Sequence, residues 1–390
     1  MEKFDNQNIK RRDFCKIAGE VSAVAVFAPV LSGSILAQTK PSKPKTNIED
    51  ALKFERNENS MPGKFPAKVI QITNEKASEE AMINYEIVYT MLEKGLCNLA
   101  NESSVEKVWK LFVSQDDIIG IKVNPVAGKI LSTSLELTKA VIAQLEKAGI
   151  NRKKIVIWDR REFQLTECGF TNEAFPDIEI IGTERQDKSG SFVDDKGILY
   201  SEQMIDKSIF YWADIEGKYD KDTLPYMVNE GFHSYFTKIC TQKVTKIINI
   251  PILKNAGGSL TGAMKNLAYG SITNTGRLHQ DLWAETCAEV CAFPPLRDKV
   301  VLNIIDGIRG CINGGPGANP QFIRNINTLL VGTDPVAIDR IAYEIILKKR
   351  LEEKIIKEES AKGKAFLELA QNLKLGTADL NKINWNRVSL

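Results

Sequence analysis

The sequence predicts an α/β fold in which a mainly parallel sheet is flanked by helices and interrupted by a polar insertion or lid. Two observations support this prediction. Short runs rich in Ile and Val alternate with longer amphipathic segments from residue 67 to residue 390. The chain has 390 residues and 43% hydrophobic content, which suffices for one elaborated α/β domain or for two intimately joined halves.

The first half of this domain repeats a strand–helix–strand spacing. Such spacing is typical of the crossovers that join neighbouring parallel strands. The predicted elements are, in order, the strand Lys68–Thr73, the helices Tyr85–Ala100 and Ser104–Phe112, the strand Asp117–Asn124 (DIIGIKVN), the helix Leu135–Ala148, the strand Lys154–Asp159 (KIVIWD) and the strand Ile178–Gly182.

A polar, turn-rich segment follows over residues 187–238, and we predict that it forms an insertion or lid with its own hairpins. His233 lies in this segment next to aromatic residues. Packing of its ring among those residues is therefore favoured over a catalytic role.

The second half of the domain begins with an apolar strand at residues 247–250 and a glycine turn at Gly257-Gly258. Ser259 or Thr261 can cap a short helix after this turn. The remaining predicted elements are the helix Gln280–Ala292, the strands Val300–Asp306 and Thr328–Gly332, a helix that Asp334 caps and that runs from Pro335 to Lys349, and the helix Ala361–Leu373.

Residues 1–37 resemble a bacterial twin-arginine export signal, because Arg11-Arg12 precede an apolar run from Val21 to Ala37. We expect a linker or surface arm over residues 38–66 and the α/β domain over residues 67–390. The sequence thus predicts a periplasmic protein that uses the twin-arginine export machinery. Two alternatives are an uncleaved signal that anchors the protein in the membrane, and an ordinary buried helix.

Charge and cysteine content exclude several classes of function. Lys and Arg total 52 against 50 Asp and Glu, so bulk charge does not favour nucleic-acid binding. There is no Cys-x-x-Cys pair, and we expect no iron–sulfur cluster from this chain alone. Cys287 and Cys291, four residues apart, are either half of a metal site or buried thiols, and buried thiols are the commoner case.

Polar residues end five predicted strands: Lys122 with Asn124, Asp159, Lys254, Asp306 and Asp334. The carboxyl ends of parallel strands share one edge of a sheet, where ligands bind. The lysines would then bind a small anionic molecule. The acids would hold a divalent metal, with Asp159, Asp306 and Asp334 as candidates, or would move protons. The alternatives are a helix cap for Asp334 and a turn for Asp306.

The stretch from Lys246 to Gln280 joins these strand ends to the glycine turn, which Lys254 and Lys265 flank, and it also contains His279. Backbone N–H groups at a helix start, together with lysines, can hold a carboxylate or phosphate. The alternative is that the lysines are solvated. The candidate catalytic residues are Lys265, His279, Asp306 and Asp159, and the candidate substrate-binding residues are Lys122, Asn124, Lys254, Gly258, Thr261, Asn266 and Gly315.

Six segments together resemble the bacterial and archaeal domain-of-unknown-function 362 family. They are DIIGIKVN (117–124), LKNAGGSLTGAMKN (253–266), His279, NIIDGIRGCINGGPG (303–317), GTDPVAIDRIA (332–342) and LGTADLNKI (375–383). The resemblance implies an α/β fold and frequent twin-arginine export. Some relatives carry ferredoxin-type motifs, which implies redox surroundings. Asn255 and Ala256 stand where relatives commonly place a histidine.

Three functions follow from these observations. The first is an exported enzyme that acts on a small anionic substrate in the cleft at the strand carboxyl ends, with or without a divalent metal. The second is a non-catalytic protein that binds a ligand or cofactor. The third is a redox-associated protein that lacks its own iron–sulfur cluster and works with a redox partner protein.

Overall fold

A large sheet runs through the domain and positions all the predicted site residues. The computed structural model describes residues 43–216 and 231–390. The strands are β1 Lys68–Thr73, β2 Ser78–Glu79, β3 Met82–Ile83, β4 Ile119–Lys122, β5 Ile155–Arg161, β6 Glu179–Glu184, β7 Ile205–Trp212, β8 His233–Thr237, β9 Lys246–Asn249, β10 Ile252–Ala256, β11 Ser259–Thr261, β12 Val300–Cys311, β13 Ile323–Gly332 and β14 Asn384–Ser389.

The helices cover both faces of this sheet. They are α1 Ile48–Leu52, α2 Tyr85–Ala100, α3 Val105–Phe112, α4 Leu135–Lys147, α5 Glu162–Glu167, α6 Tyr200–Gln203, α7 Ala263–Ser271, α8 Gly276–Asp281, α9 Trp283–Glu289, α10 Pro294–Arg297, α11 Pro335–Glu352 and α12 Ala365–Asn372. The predicted signal, residues 1–37, lies outside the described residues. Within residues 43–216 and 231–390, no helix is both long and apolar enough to cross a membrane.

The strand order in the described sheet is β14-β1-β13-β12-β9-β4-β5-β6, with β10 beside β12 and β11 beside β10. Neighbours from β12 through β9, β4 and β5 to β6 are parallel. Helices pack on both sides of this sheet, so the predicted α/β class is confirmed. The strand β13, however, runs antiparallel to both β1 and β12. Its carboxyl end therefore points away from the edge shared by the parallel strands.

Alternation along the strands divides the side chains between apolar cores on the two faces of the sheet. Ile119 and Ile121 of β4 point into the core beneath α2, α3 and α4. Lys122 points instead toward the face that carries α7, where Trp158 and Met264 belong to a second core. A buried side chain of the size of Ile contributes roughly 1.5–3 kcal/mol to folding. Apolar cores thus pack on both faces of β4 and β5, next to the buried polar side chains of Lys122 and Asp159.

The glycine turn is followed by a strand rather than by the predicted helix cap. Ser259 and Thr261 belong to β11, which forms a hairpin with β10 and places Thr261 opposite Lys254. Neither side chain caps α7, so that prediction was wrong. The acceptor at the start of α7 is Asp339 of α11, whose carboxylate accepts hydrogen bonds from the N–H groups of Ala263 (2.5 Å) and Met264 (2.9 Å).

The region from residue 187 to residue 238 contributes a separate two-stranded sheet, β7 with β8. The ring of His233 lies 4.7 Å from that of Phe210 and 5.9 Å from that of Tyr235, between centroids. This is the aromatic packing expected from the sequence. The strand β14 was not predicted, and it pairs in parallel with β1.

Candidate functional site

A fully buried ion pair lies at the carboxyl ends of β4 and β5. The ammonium of Lys122 donates to the carboxylate of Asp159, to the carbonyl of Val123 (2.9 Å) and to Oδ1 of Asn266 (3.1 Å). Burial lowers the pKa of Lys122, and the adjacent carboxylate opposes that shift. Because a lysine has three N–H donors, these three acceptors satisfy the ammonium group.

Side-chain amides extend this pair toward a second buried lysine. Asn266 Oδ1 accepts from Asn124 Nδ2 (2.9 Å), and Asn124 Oδ1 accepts from Lys254 Nζ (3.0 Å). Asn266 Nδ2 donates in turn to Asn249 Oδ1 (2.8 Å). Burial, followed by the charge of Lys265, lowers the pKa of Lys254 to about 7. Four of the predicted substrate-binding residues, Lys122, Asn124, Lys254 and Asn266, therefore form one connected network.

A glycine of α7 makes room for the ion pair. A Cβ atom at Gly270 would lie 2.5 Å from Cε and 2.6 Å from Nζ of Lys122. Real Cβ atoms essentially never come so close to another heavy atom. A glycine inside a helix is otherwise unfavourable by roughly 0.5–1 kcal/mol relative to alanine. The close approach of Lys122 gives the physical reason for glycine at this position.

Lys265, five residues earlier on α7, has different surroundings. Its side chain is only 6% exposed, and its ammonium lies 5.8 Å from the ring centroids of both Tyr269 and Trp283. Within residues 43–216 and 231–390, no group accepts a hydrogen bond from this ammonium and no carboxylate pairs with it. Burial lowers the pKa of Lys265. Lys265 is therefore a buried cation whose partner is not supplied by the described part of the chain.

His279 lies close to Lys265, at the end of α8. Its Nδ1 is 2.9 Å from the carbonyl oxygen of Thr275, and its ring lies 4.2 Å from that of Tyr269. Because a carbonyl only accepts, Nδ1 carries the hydrogen, and Nε2 of the neutral ring keeps its lone pair. Partial desolvation of the ring is the largest cause that lowers the pKa of His279, and the positive charge of Lys265 is the second. Solvent reaches more than a third of the side chain and screens part of this effect.

Lys265 and His279 line a cavity of about 360 Å³. The glycine turn forms one wall, and a Cβ atom at Gly258 would approach the hydroxyl of Ser360 to 2.8 Å. The lining residues are Ala256, Gly257, Gly258, Ser259, Lys265, His279, Trp283, Pro316, Ser360 and Lys362. In the part of the chain that the structure describes, the lining contains two lysines and no carboxylate. The cavity is thus suited to a negatively charged ligand.

Two further predicted residues lie beside this cavity. The hydroxyl of Thr261, opposite Lys254 in the hairpin, is buried and has no hydrogen-bond partner among the described residues. The N–H of Gly315 donates to Oδ1 of Asn255 (2.9 Å), and a Cβ atom there would lie 1.7 Å from the Asn255 carbonyl oxygen. Gly315 therefore supports the glycine turn, and the next residue, Pro316, lines the cavity.

Asp306 is not at this site. It lies within β12, and its carboxylate accepts from the N–H (2.8 Å) and hydroxyl (2.7 Å) of Ser134, at the start of α4. Ile304 and Ile308, two residues before and after it, belong to the core beneath α4. Alternation along the strand therefore places Asp306 on the face opposite α7. Burial raises its pKa.

Asp334 is the helix cap that the alternative interpretation favoured. One of its oxygens accepts from the N–H groups of Val336 and Ala337, and the other from those of Ala67 and Thr377. The structure therefore does not bring Asp159, Asp306 and Asp334 together. No group of three or more His, Cys, Asp or Glu side chains within residues 43–216 and 231–390 is arranged to hold a metal ion.

The family of the chain follows from its comparison with known families. The family model described as Domain of unknown function (DUF362) matches residues 119–344, more than half of the chain. The chain belongs to the DUF362 family. This match includes the buried lysine network, the glycine turn and both cavity residues Lys265 and His279. The family description assigns no reaction to these residues.

Comparisons of this DUF362 chain with individual proteins indicate no activity or ligand. No curated protein matches it. A solved structure of a Thermotoga maritima protein, a target of the Northeast Structural Genomics Consortium, is similar with 7% identity and a TM-score of 0.35. The similarity covers 70% of this chain and 60% of that protein, so the chain spans less than two thirds of its length.

Three residues at the DUF362 site were not predicted. Arg160 follows Asp159 and donates to Thr275 Oγ1, and its Nε donates to Glu184 Oε1 (2.7 Å). The cavity-lining Trp283 begins α9, and the non-helical Leu282 separates it from α8 and His279, so helical spacing did not link the two side chains. Lys362 reaches the cavity from the loop before α12, and no local pattern links that loop to the glycine turn.

Proposed function

We propose that this protein is an enzyme that binds a small anionic molecule in the cavity lined by Lys265 and His279. One observation carries the proposal: Lys265 is a buried cation without a hydrogen-bond acceptor or a carboxylate partner among the described residues. A bound anion would supply the missing partner, since a hydrogen bond to a charged group contributes about 1.5–3 kcal/mol.

The neighbouring charges support an anionic rather than a cationic ligand. Lys254 lies close enough for the charge of Lys265 to lower its pKa, and Lys362 adds a solvent-exposed cation at the cavity wall. Asp159, the carboxylate within the lysine network, is already paired with Lys122. A cation in the same cavity would therefore meet repulsion from lysines without a compensating carboxylate.

The geometry of His279 supports catalysis rather than binding alone. Its Nδ1 hydrogen bond to Thr275 orients the ring and leaves the Nε2 lone pair to accept a proton from a bound molecule. Lys265 would stabilise the negative charge that develops on that molecule. A bound anion would also raise the pKa of His279 toward neutrality, which would improve it as a base. The proposal assigns no metal to Asp159, Asp306 or Asp334.

Calorimetric titration of the purified protein with phosphate, acetate and malonate tests the binding. We expect the Lys265→Met variant to bind each responsive anion at least about tenfold more weakly than the wild type, because a desolvated charge pair is lost. The control is Lys348→Met, since that side chain is 75% exposed on α11. Equal affinity of the wild type and Lys265→Met would overturn the proposal, as would no binding up to about 10 mM of any of the three anions.

Histidine NMR tests the catalytic role, because the chain contains only two histidines. A titration of ¹⁵N-labelled protein, with His233→Gln to assign the signals, should show that a saturating anion raises the pKa of His279. A pKa of His279 that is the same with and without anion would separate the histidine from the ligand and would favour a binding protein without proton transfer.

We further propose that the protein is exported by the twin-arginine route. Arg11-Arg12 and the apolar run that follows support this proposal. The test is fractionation of cells that express the full chain or its Arg11→Lys/Arg12→Lys variant. The wild type should reach the periplasm or its membrane face, whereas the variant should remain in the cytoplasm. Equal distribution of the two would contradict export by this route.

A further inference from the structure

We infer that the anion bound at Lys265 carries a flat apolar body, as an aromatic carboxylate does, and that Trp283 selects for it. This inference rests on the proposed function and names the substrate class of the same cavity. Lys265 would pair with the carboxylate while the ring of the ligand packs against the indole.

Trp283 is placed to contact a ligand that Lys265 holds. Its ring centroid lies 5.8 Å from the ammonium of Lys265, and its side chain lines the cavity. The ring of Phe366 in α12 packs against it with centroids 5.5 Å apart and an interplanar angle of 72°. Trp283 is only partly buried, so one part of the indole is held by the core while another part borders the cavity.

The other walls of the cavity favour an apolar ligand body. Ala256, Gly257 and Pro316 present no side-chain hydrogen-bond donor. Gly257 has a φ of +55°, and a Cβ atom there would meet no other atom within 4 Å, so a ligand has room to lie against the backbone at this wall. Ligands with polar groups on every side would lose hydrogen bonds to water at these walls. An apolar ring would lose none.

The size of the cavity distinguishes an organic anion from an inorganic one. Its volume of about 360 Å³ lies near the lower end of the roughly 300–1,000 Å³ that small-molecule pockets span. A water occupies about 30 Å³ of liquid, and phosphate fills the space of only a few waters. Phosphate or acetate at Lys265 would leave the Trp283 side chain in contact with water. A carboxylate with one or two rings would cover that side chain.

Three carboxylates separate these possibilities: acetate, cyclohexanecarboxylate and benzoate, titrated by calorimetry into the full protein. The wild type should bind benzoate about tenfold more tightly than acetate, with cyclohexanecarboxylate between them, because aromatic pairs add to apolar burial. Trp283→Leu should lose most of the benzoate preference, and its affinity for acetate should change much less than its affinity for benzoate. Trp385→Leu, which alters a tryptophan on β14 that packs against Arg387, should behave like the wild type.

The inference is overturned if the wild type binds acetate and benzoate equally, or if Trp283→Leu weakens both to the same extent. A merely structural Trp283 gives the latter result. Failure of the proposed function has a different signature, since Lys265→Met would then bind both carboxylates as the wild type does. If Trp283→Leu does not fold, intermolecular NOEs between benzoate and the indole of Trp283 in the wild type replace it, and their absence at saturation counts against the inference.

Discussion

Lys122 and Lys265 are two buried lysines near the same edge of the sheet, but their surroundings differ. Lys122 has a carboxylate, a carbonyl and an amide oxygen around its ammonium. Lys265 has two aromatic rings and a cavity. The comparison shows that burial of a charge does not by itself indicate function. A charge whose partners are complete holds the fold together, whereas a charge whose partners are incomplete is where we propose that a ligand binds.

The Lys122 network and the cavity at Lys265 are connected through α7. The network of Lys122, Asp159, Asn124 and Asn266 joins β4 and β5 to α7. Lys265 lies on α7 one position before Asn266. The hydrogen bonds of the network therefore fix the helix that presents Lys265 to the cavity. Asn266, which belongs to the network, and Lys265, for which we propose a ligand-binding role, are thus adjacent residues of one helix.

The strongest test removes each lysine in turn. Lys122→Met should lower the free energy of unfolding by about 3–5 kcal/mol, because Asp159 is left buried without its cation. Lys265→Met should change it by about 1 kcal/mol or less, or increase it, because no buried partner is abandoned. Guanidinium denaturation measures both.

A double variant serves as the control for this test. Lys122→Met/Asp159→Leu should recover part of the lost stability, since both charges are then absent. An equal loss of stability in Lys122→Met and Lys265→Met would remove the distinction between the two lysines.

A second test uses pH and Lys254, which lies between the two regions. Its pKa is lowered to about 7 in the folded protein, from 10.5 when unfolded. Between these values the unfolded state binds more protons than the folded state, so stability rises with pH, by up to about 1.4 kcal/mol per pH unit. Below about pH 7, Lys254 is protonated in both states, so the gain in stability is absent and stability no longer changes with pH through this group. Urea denaturation from pH 7 to pH 9.5 measures the rise.

Lys254→Met identifies the source of that slope. The variant should show a flatter dependence of stability on pH than the wild type over the same range. If the slope is the same in Lys254→Met, another group causes the pH dependence. The pKa of Lys254 would then not be lowered.

A third test uses the glycine beneath Lys122. Gly270→Ala should destabilise the protein by roughly 1–3 kcal/mol, because the new methyl group displaces the Lys122 side chain from Asp159. Gly317→Ala is the matched control, since a Cβ atom there meets nothing within 4 Å. Thermal unfolding of the two variants compares them. Similar melting temperatures for both would mean that Lys122 adapts without cost.

Local sequence patterns determined most of the helices and strands. The strand Lys68–Thr73 and the helix Tyr85–Ala100 have the predicted bounds, because their periodicity and flanking residues are local. The strand β14 was missed, since its burial is mixed and its partner β1 lies more than 300 residues earlier. The cap of α7 was assigned wrongly because its acceptor, Asp339, comes from a distant helix.

The sequence by itself also indicated that Lys122 and Lys254 meet at the edge where parallel strands end, and the structure joins them through Asn266 and Asn124. Lys265 and His279 lie on the helices that follow and line the adjacent cavity. Only the tertiary structure decided which of the acids join them. Asp334 was excluded by the antiparallel direction of β13, and Asp306 by the side of β12 on which it lies. Strand direction and the completeness of a buried charge's partners depend on contacts between distant segments, and a linear pattern does not contain them.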